Sequence, residues 1–163
     1  MSCERVLLRA LRSGEAVEGT WHVHLEPLPR LVAAARAFVM SHAPPLPDDT
    51  VDALLLLTSE LVTNAVLHAR TPLEIGITVG QQSVLVTVHD LGLTRPEQNP
   101  YVKREGGWGL GLVSSLAEAS AMEPHSDGGK TAWFRLHRGD LPKVGDAAAA
   151  RGESDVDTGQ VVG

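Results

Sequence analysis

Two kinds of hydrophobic periodicity, strict alternation and helical recurrence, divide the chain into successive elements. Trp21, Val23 and Leu25 alternate with His22 and His24. This predicts a half-buried strand ended by Pro27 and Pro29, with both histidines facing outward. A His-x-His pair can bind metal, but no further ligand stands in register, so this strand face is read as solvated. Leu31 to Met40 is alanine-rich and apolar, with Arg30 and Arg36 on its polar side. It predicts a helix that stops before Pro44 and Pro45. Pro47-Asp48-Asp49-Thr50 then supplies capping side chains and favourable negative charge for a second helix, running through Leu57 and Leu61 to about Ala69.

Beyond Pro72, Leu73, Ile75, Ile77 and Val79 alternate strictly, and so do Val84, Val86 and Val88 after the turn Gly80-Gln81-Gln82-Ser83. An antiparallel hairpin is expected there. From Asp90 the chain has no periodicity until Gly106-Gly107-Trp108-Gly109-Leu110-Gly111 opens an apolar helix, Leu112 to Ala119. Ser126-Asp127-Gly128-Gly129 makes a turn into a last strand, Thr131 to Leu136, with Ala132, Phe134 and Leu136 on one face. This order predicts an α+β protein: a two-layer sandwich whose mixed, mostly antiparallel sheet is covered on one face by helices.

Composition narrows the partners. The chain has 163 residues, 43% of them hydrophobic, enough for one compact core without a disulfide or structural metal. Residues 19–138 are expected to form that domain, 1–18 and 139–163 to be mobile ends that lack sustained periodicity. A formal charge of -6 argues against a role in neutralising nucleic-acid phosphates. Cys3 is the single cysteine, so an intramolecular disulfide is impossible. Arg5, Arg9 and Arg12 interrupt the early apolar residues, unlike a secretory leader, and no stretch is read as long enough to span a bilayer. A cytoplasmic protein with no membrane or direct nucleic-acid partner is the expectation.

Glu60, Asn64 and His68 recur every fourth residue of the second helix, where four residues overshoot one turn by only about 40°. They form one polar stripe beside Leu54, Leu57 and Leu61, at the edge of the core. The stripe alone equally describes an ordinary amphipathic helix, and His68 near the helix end equally answers the helix dipole. Asp90 continues the face that carries Val84, Val86 and Val88, so its carboxylate should point under the covering layer, where it needs a donor. Asp90-Leu91-Gly92 taken alone also describes a turn. Gly107, Gly109 and Gly111 leave backbone N–H groups free where a loop meets a helix N-terminus, a seat for anions. A dinucleotide fingerprint is disfavoured, because these glycines follow a long loop rather than an early strand.

In this order Glu60-Leu61-Val62-Thr63-Asn64-Ala65-Val66-Leu67-His68, Asp90-Leu91-Gly92, Gly107-Trp108-Gly109-Leu110-Gly111-Leu112 and Gly129-Lys130-Thr131-Ala132-Trp133 resemble the N, G1, G2 and final boxes of the GHKL (histidine-kinase-like, Bergerat-fold) ATPases. The resemblance spans about residues 20 to 137 and is closest to bacterial anti-sigma factor serine/threonine kinases. It implies ATP and Mg²⁺ as ligands, with Glu60 as the base, Asn64 on the metal and His68 in a supporting role on the phosphate side or at the metal site. Asp90 would accept the adenine amino group with Gly92 against the base, while Gly107, Gly109, Leu110, Gly111 and Leu112 would line the phosphate seat. Thr131 would lie near the adenine, and residues 93–106, with Lys103 and Arg104, would form a lid. A sigma factor or an antagonist protein would be the partner, with helix 30–42 and the first strand available to a homodimer. Leu93-Thr94 replaces the glycine or proline usual after Asp-x-Gly, leaving a non-catalytic, ATP-gated binding module as the other reading.

Overall fold

The computed structural model describes residues 10–28, 30–69, 71–90, 116–126 and 128–139, excepting the side chains of His68 and Ala69. Strand β1 (Val17–Leu25) leads into helices α1 (Leu31–His42) and α2 (Asp48–Ala69). The hairpin β2 (Leu73–Gly80) and β3 (Ser83–Asp90) follows, then β4 (Ala119–Pro124) and β5 (Lys130–His137). The strands form one sheet in the order β1-β2-β3-β5-β4, and every pairing among them is antiparallel.

Alternation decides which side chains meet the helices. Ile75 pairs with Val88, Ile77 with Val86 and Val79 with Val84; these in turn meet Ala132, Phe134 and Leu136 of β5. Together with Leu54, Leu57, Leu61, Val62 and Ala65 of α2 and Leu31, Ala35 and Val39 of α1 they make the principal core. Two registers a residue apart would turn all of these toward water, so burial on one face fixes the pairing. Helix α1 packs over β1 and β2, and α2 over β3 and β5. The backbone N–H of Val51 bonds the Pro47 carbonyl at 2.9 Å, and Asp48 and Asp49 put negative charge in the first turn of α2. Thr58, fully buried, donates its hydroxyl to the Leu54 carbonyl at 2.7 Å, so this polar group is not stranded in the helix interior.

Helix α2 corrects one expectation. Asp48–Leu67, 20 residues at a mean hydropathy of 1.4, is long and apolar enough to cross a membrane. The expectation from the sequence is that no stretch approaches that length. In this fold the leucine-rich side of α2 is instead spent on the sheet.

Strand β4 was not expected. It is a short edge strand, Ala119-Ser120-Ala121-Met122-Glu123-Pro124, and it begins at the residue where the third helix was expected to end. Half of that expected helix, residues 112–115, lies outside the described residues. The N-terminal stretch also enters the fold earlier than its composition implies. Ala10 is fully buried with Leu85 and Trp133 in a second cluster on the sheet face away from the helices. Arg135 Nη1 donates to the Ala10 carbonyl at 2.6 Å, and Arg12 forms an ion pair with Glu118. Glu15 accepts from the Gln82 backbone N–H and the Ser83 hydroxyl, each at 2.7 Å. A Cβ at Gly80 would collide with the Glu15 carboxylate, so glycine at the hairpin end makes room for this clasp.

Candidate functional site

Leu73, Asp90 and Lys130 are Cα partners across three strands, at the end of the sheet where α2 delivers the chain into β2. Ala69 ends α2 and Leu73 opens β2. Asn64 therefore stands five residues, about 7.5 Å of helix, from the end of α2 that adjoins Asp90, and Glu60 about 13.5 Å. Both are half-buried, beside fully or nearly fully buried Leu57, Leu61 and Ala65. The polar stripe thus rises from the core boundary of a helix lying over β3 and β5, the two strands that carry Asp90 and Lys130.

Asp90 is 1% exposed and shares the helix-covered face with Val84, Val86 and Val88, as alternation requires. Lys130 Nζ lies 3.0 Å from its Oδ2 and 3.2 Å from its Oδ1. Lys130 is itself only 8% exposed, so a cation and an anion are held together out of water. A lone charge there would carry a heavy desolvation cost, and pairing offsets it. The turn before β5 sets the meeting. Gly128 and Gly129 adopt φ of 92° and 80°, the left-handed region, and the His125 N–H bonds the Gly129 carbonyl at 3.1 Å. Lys130 is the residue that sequence reasoning passed over. The signal was present, since Ala132, Phe134 and Leu136 share one face and Lys130 is two residues before Ala132.

Thr131 goes the other way. Its side chain occupies the face opposite Asp90, where its hydroxyl lies 2.7 Å from His125 Nε2 and 3.2 Å from His89 Nδ1. The two imidazoles meet edge to face, their centroids 5.0 Å apart. A hydroxyl has one proton, so at most one of these contacts is a Thr131 donation and the other ring must donate to its oxygen. The structure thus brings Asp90 and Lys130 together beneath the helices and separates Thr131 from them by the thickness of the sheet. On this far face His24 Nε2 also reaches Glu74 at 2.9 Å, and His22 Nδ1 lies 3.7 Å from the same carboxylate.

Gly92, Gly107, Gly109, Leu110, Gly111 and Leu112, with the expected lid and its Lys103 and Arg104, lie outside the described residues, as does the His68 side chain. Among the described residues no group of three or more His, Cys, Asp or Glu is placed to hold a metal ion. The buried Asp90 carboxylate is a hydrogen-bond acceptor on the helix-covered face.

Residues 25–136 match the model of the histidine kinase-like ATPase domain. The chain belongs to that family. Among solved structures, the RsbU and RsbW domains of Rv1364c from Mycobacterium tuberculosis resemble it, with a TM-score of 0.54 at 19% sequence identity. The likeness covers 72% of this chain and 32% of that one, so the present protein spans about a third of its structural relative, and at this identity it speaks for the fold. No curated protein matches in sequence. Membership makes this an ATPase-type nucleotide-binding domain, and the five-stranded antiparallel sheet with helices on one face is the corresponding α+β architecture.

Proposed function

We propose that this domain binds ATP with Mg²⁺ and acts as a serine/threonine protein kinase of the anti-sigma factor type. It would pass the γ-phosphate to an antagonist protein and hold a sigma factor inactive in that protein's absence. The observation that carries the reading is Asp90, a buried carboxylate on the helix-covered face at the end of the sheet that adjoins the Asn64 end of α2. Asp90 would accept the adenine amino group. Asn64 would offer its side-chain oxygen to Mg²⁺, which neutralises phosphate charge when bound. Glu60 would take the proton from the attacking serine hydroxyl. The glycines at 107, 109 and 111 would present backbone N–H groups to the phosphates.

A second reading, an ATP-gated module that regulates its partner by contact alone, is favoured by Leu93-Thr94 after Asp90-Leu91-Gly92, where the related kinases carry glycine or proline. Incubation with labelled ATP, Mg²⁺ and antagonist-like proteins encoded by neighbouring genes separates the two. Label on a partner serine, lost in Glu60→Ala while ATP binding persists, supports the kinase. ATP binding without transfer to any of them supports the module.

A further inference from the structure

We propose that Lys130 is a base-reading residue, which donates to N1 of adenine while Asp90 accepts from the N6 amino group. The inference rests on the reading of Asp90 as the adenine acceptor and extends it to a residue with no role assigned so far. Its basis is the geometry of the pair. Lys130 and Asp90 are directly opposed on β5 and β3, both on the helix-covered face, with Nζ 3.0 and 3.2 Å from the two carboxylate oxygens.

A carboxylate alone is a permissive reader. It accepts only, so it takes an amino group from adenine or cytosine with equal ease. Among the purines adenine is set apart by presenting a donor, N6–H₂, beside an acceptor, N1, on one edge; cytosine shares that order, so the discrimination is against guanine and hypoxanthine. The matching surface is an acceptor beside a donor. Asp90 and Lys130 offer that surface at hydrogen-bonding separation from each other. The ammonium carries three protons, so it can keep its contact with Asp90 and still direct one at N1. Guanine and hypoxanthine reverse the edge, with O6 accepting and N1–H donating. They would bring acceptor against carboxylate and donor against ammonium, a mismatch that is costly where water is excluded.

Burial makes the discrimination strong. With Asp90 at 1% and Lys130 at 8% exposure, neither group can turn to solvent when a wrong edge arrives. The glycine turn at 128 and 129 fixes where β5 starts, and hence which residue stands opposite Asp90. A residue later, at Thr131, the side chain lies on the far face and is out of reach of a base on the helix side.

The test compares ATP, 1-deaza-ATP, which lacks the N1 acceptor, and ITP, by calorimetry on the full chain with Mg²⁺. The wild type should bind 1-deaza-ATP about 10- to 100-fold more weakly than ATP, and ITP more weakly still. Lys130→Met, with its folding checked by circular dichroism, should bind ATP and 1-deaza-ATP within about twofold of each other. Should that variant not fold, the wild-type comparison decides alone. Equal wild-type binding of ATP and 1-deaza-ATP overturns the role of Lys130 and leaves the Asp90 reading standing. A wild type that binds no ATP overturns both.

Discussion

The Thr131 hydroxyl lies 2.7 Å from His125 Nε2 on one face of the sheet, while Lys130, the residue before it, meets Asp90 on the other. This divides two neighbouring positions into different tasks. Thr131→Val should leave ATP affinity within about twofold of wild type. It should cost about 1 kcal/mol of stability, because two imidazoles lose a shared oxygen. Asp90→Asn should weaken ATP binding by about 1–3 kcal/mol as a buried acceptor is altered, and should also cost stability because the Lys130 ammonium loses its carboxylate. Calorimetric titration with ATP and urea unfolding of both variants provide the check. A larger affinity loss at Thr131 than at Asp90 would reverse the assignment.

The stripe on α2 separates binding from transfer. Asn64→Ala should lower ATP affinity in Mg²⁺ by about tenfold and have a much smaller effect in excess chelator, since its role is to hold the cation against the phosphates. Glu60→Ala should retain ATP and lose about 100-fold or more of phosphoryl transfer. Titrations with and without Mg²⁺, and single-turnover transfer to a partner serine, measure the two effects independently.

Among the described residues Phe134 is the largest fully buried side chain, and it sits opposite Val86 at the middle of the sheet. Phe134→Ala should destabilise the domain by about 3–5 kcal/mol, through lost burial and the cavity left between β3, β5 and α2. The midpoint of urea unfolding should fall accordingly, with little change in its slope.

The elements with a strong period were legible beforehand. Val84, Val86 and Val88 alternate cleanly because one face of β3 packs on α2, and the hairpin to β2 announces itself through Gly80 and a two-residue turn. Ala119–Pro124 escaped notice because an edge strand with Ser120, Glu123 and Pro124 has no clean alternation to display. At the site, the burial of Asp90 follows from its register with the valines. The partnership with Lys130 did not, because cross-strand pairing depends on where the turn at Gly128 and Gly129 ends. A one-residue difference there exchanges Lys130 and Thr131 between faces. The apolar side of α2 is long because Asp48, Asp49 and Asp52 fall in its first two turns and leave most of the later turns to apolar residues.

Acid should loosen the clasp over the hairpin. Burial alone would raise the Glu15 carboxyl, but hydrogen bonds from the Ser83 hydroxyl and the Gln82 N–H hold it below the usual carboxylate range. Burial likewise raises Glu118, and Arg12 and Arg135 more than compensate. A carboxyl depressed in the folded state stabilises fully above its unfolded pKa, and that contribution is lost as pH falls through the folded value. Glu15→Gln should therefore cost about 1 kcal/mol at neutral pH, a small figure because the group is partly in water. The gap between variant and wild type should close below about pH 4. Urea midpoints measured across that range give the answer, and a constant gap would contradict the mechanism.

The clasp also bears on how the chain matures as it leaves the ribosome. Ala10 is made early, yet the surface it docks on includes Trp133 and Arg135 of β5, the last of the described strands to be synthesised. The β2–β3 hairpin can close within about 1–10 μs of its emergence, because two residues join it. The far face cannot be sealed until Trp133 and Arg135, well beyond the hairpin in the chain, have joined the sheet. For that interval Leu85 is uncovered, and the nascent chain waits on its own far end to hide it.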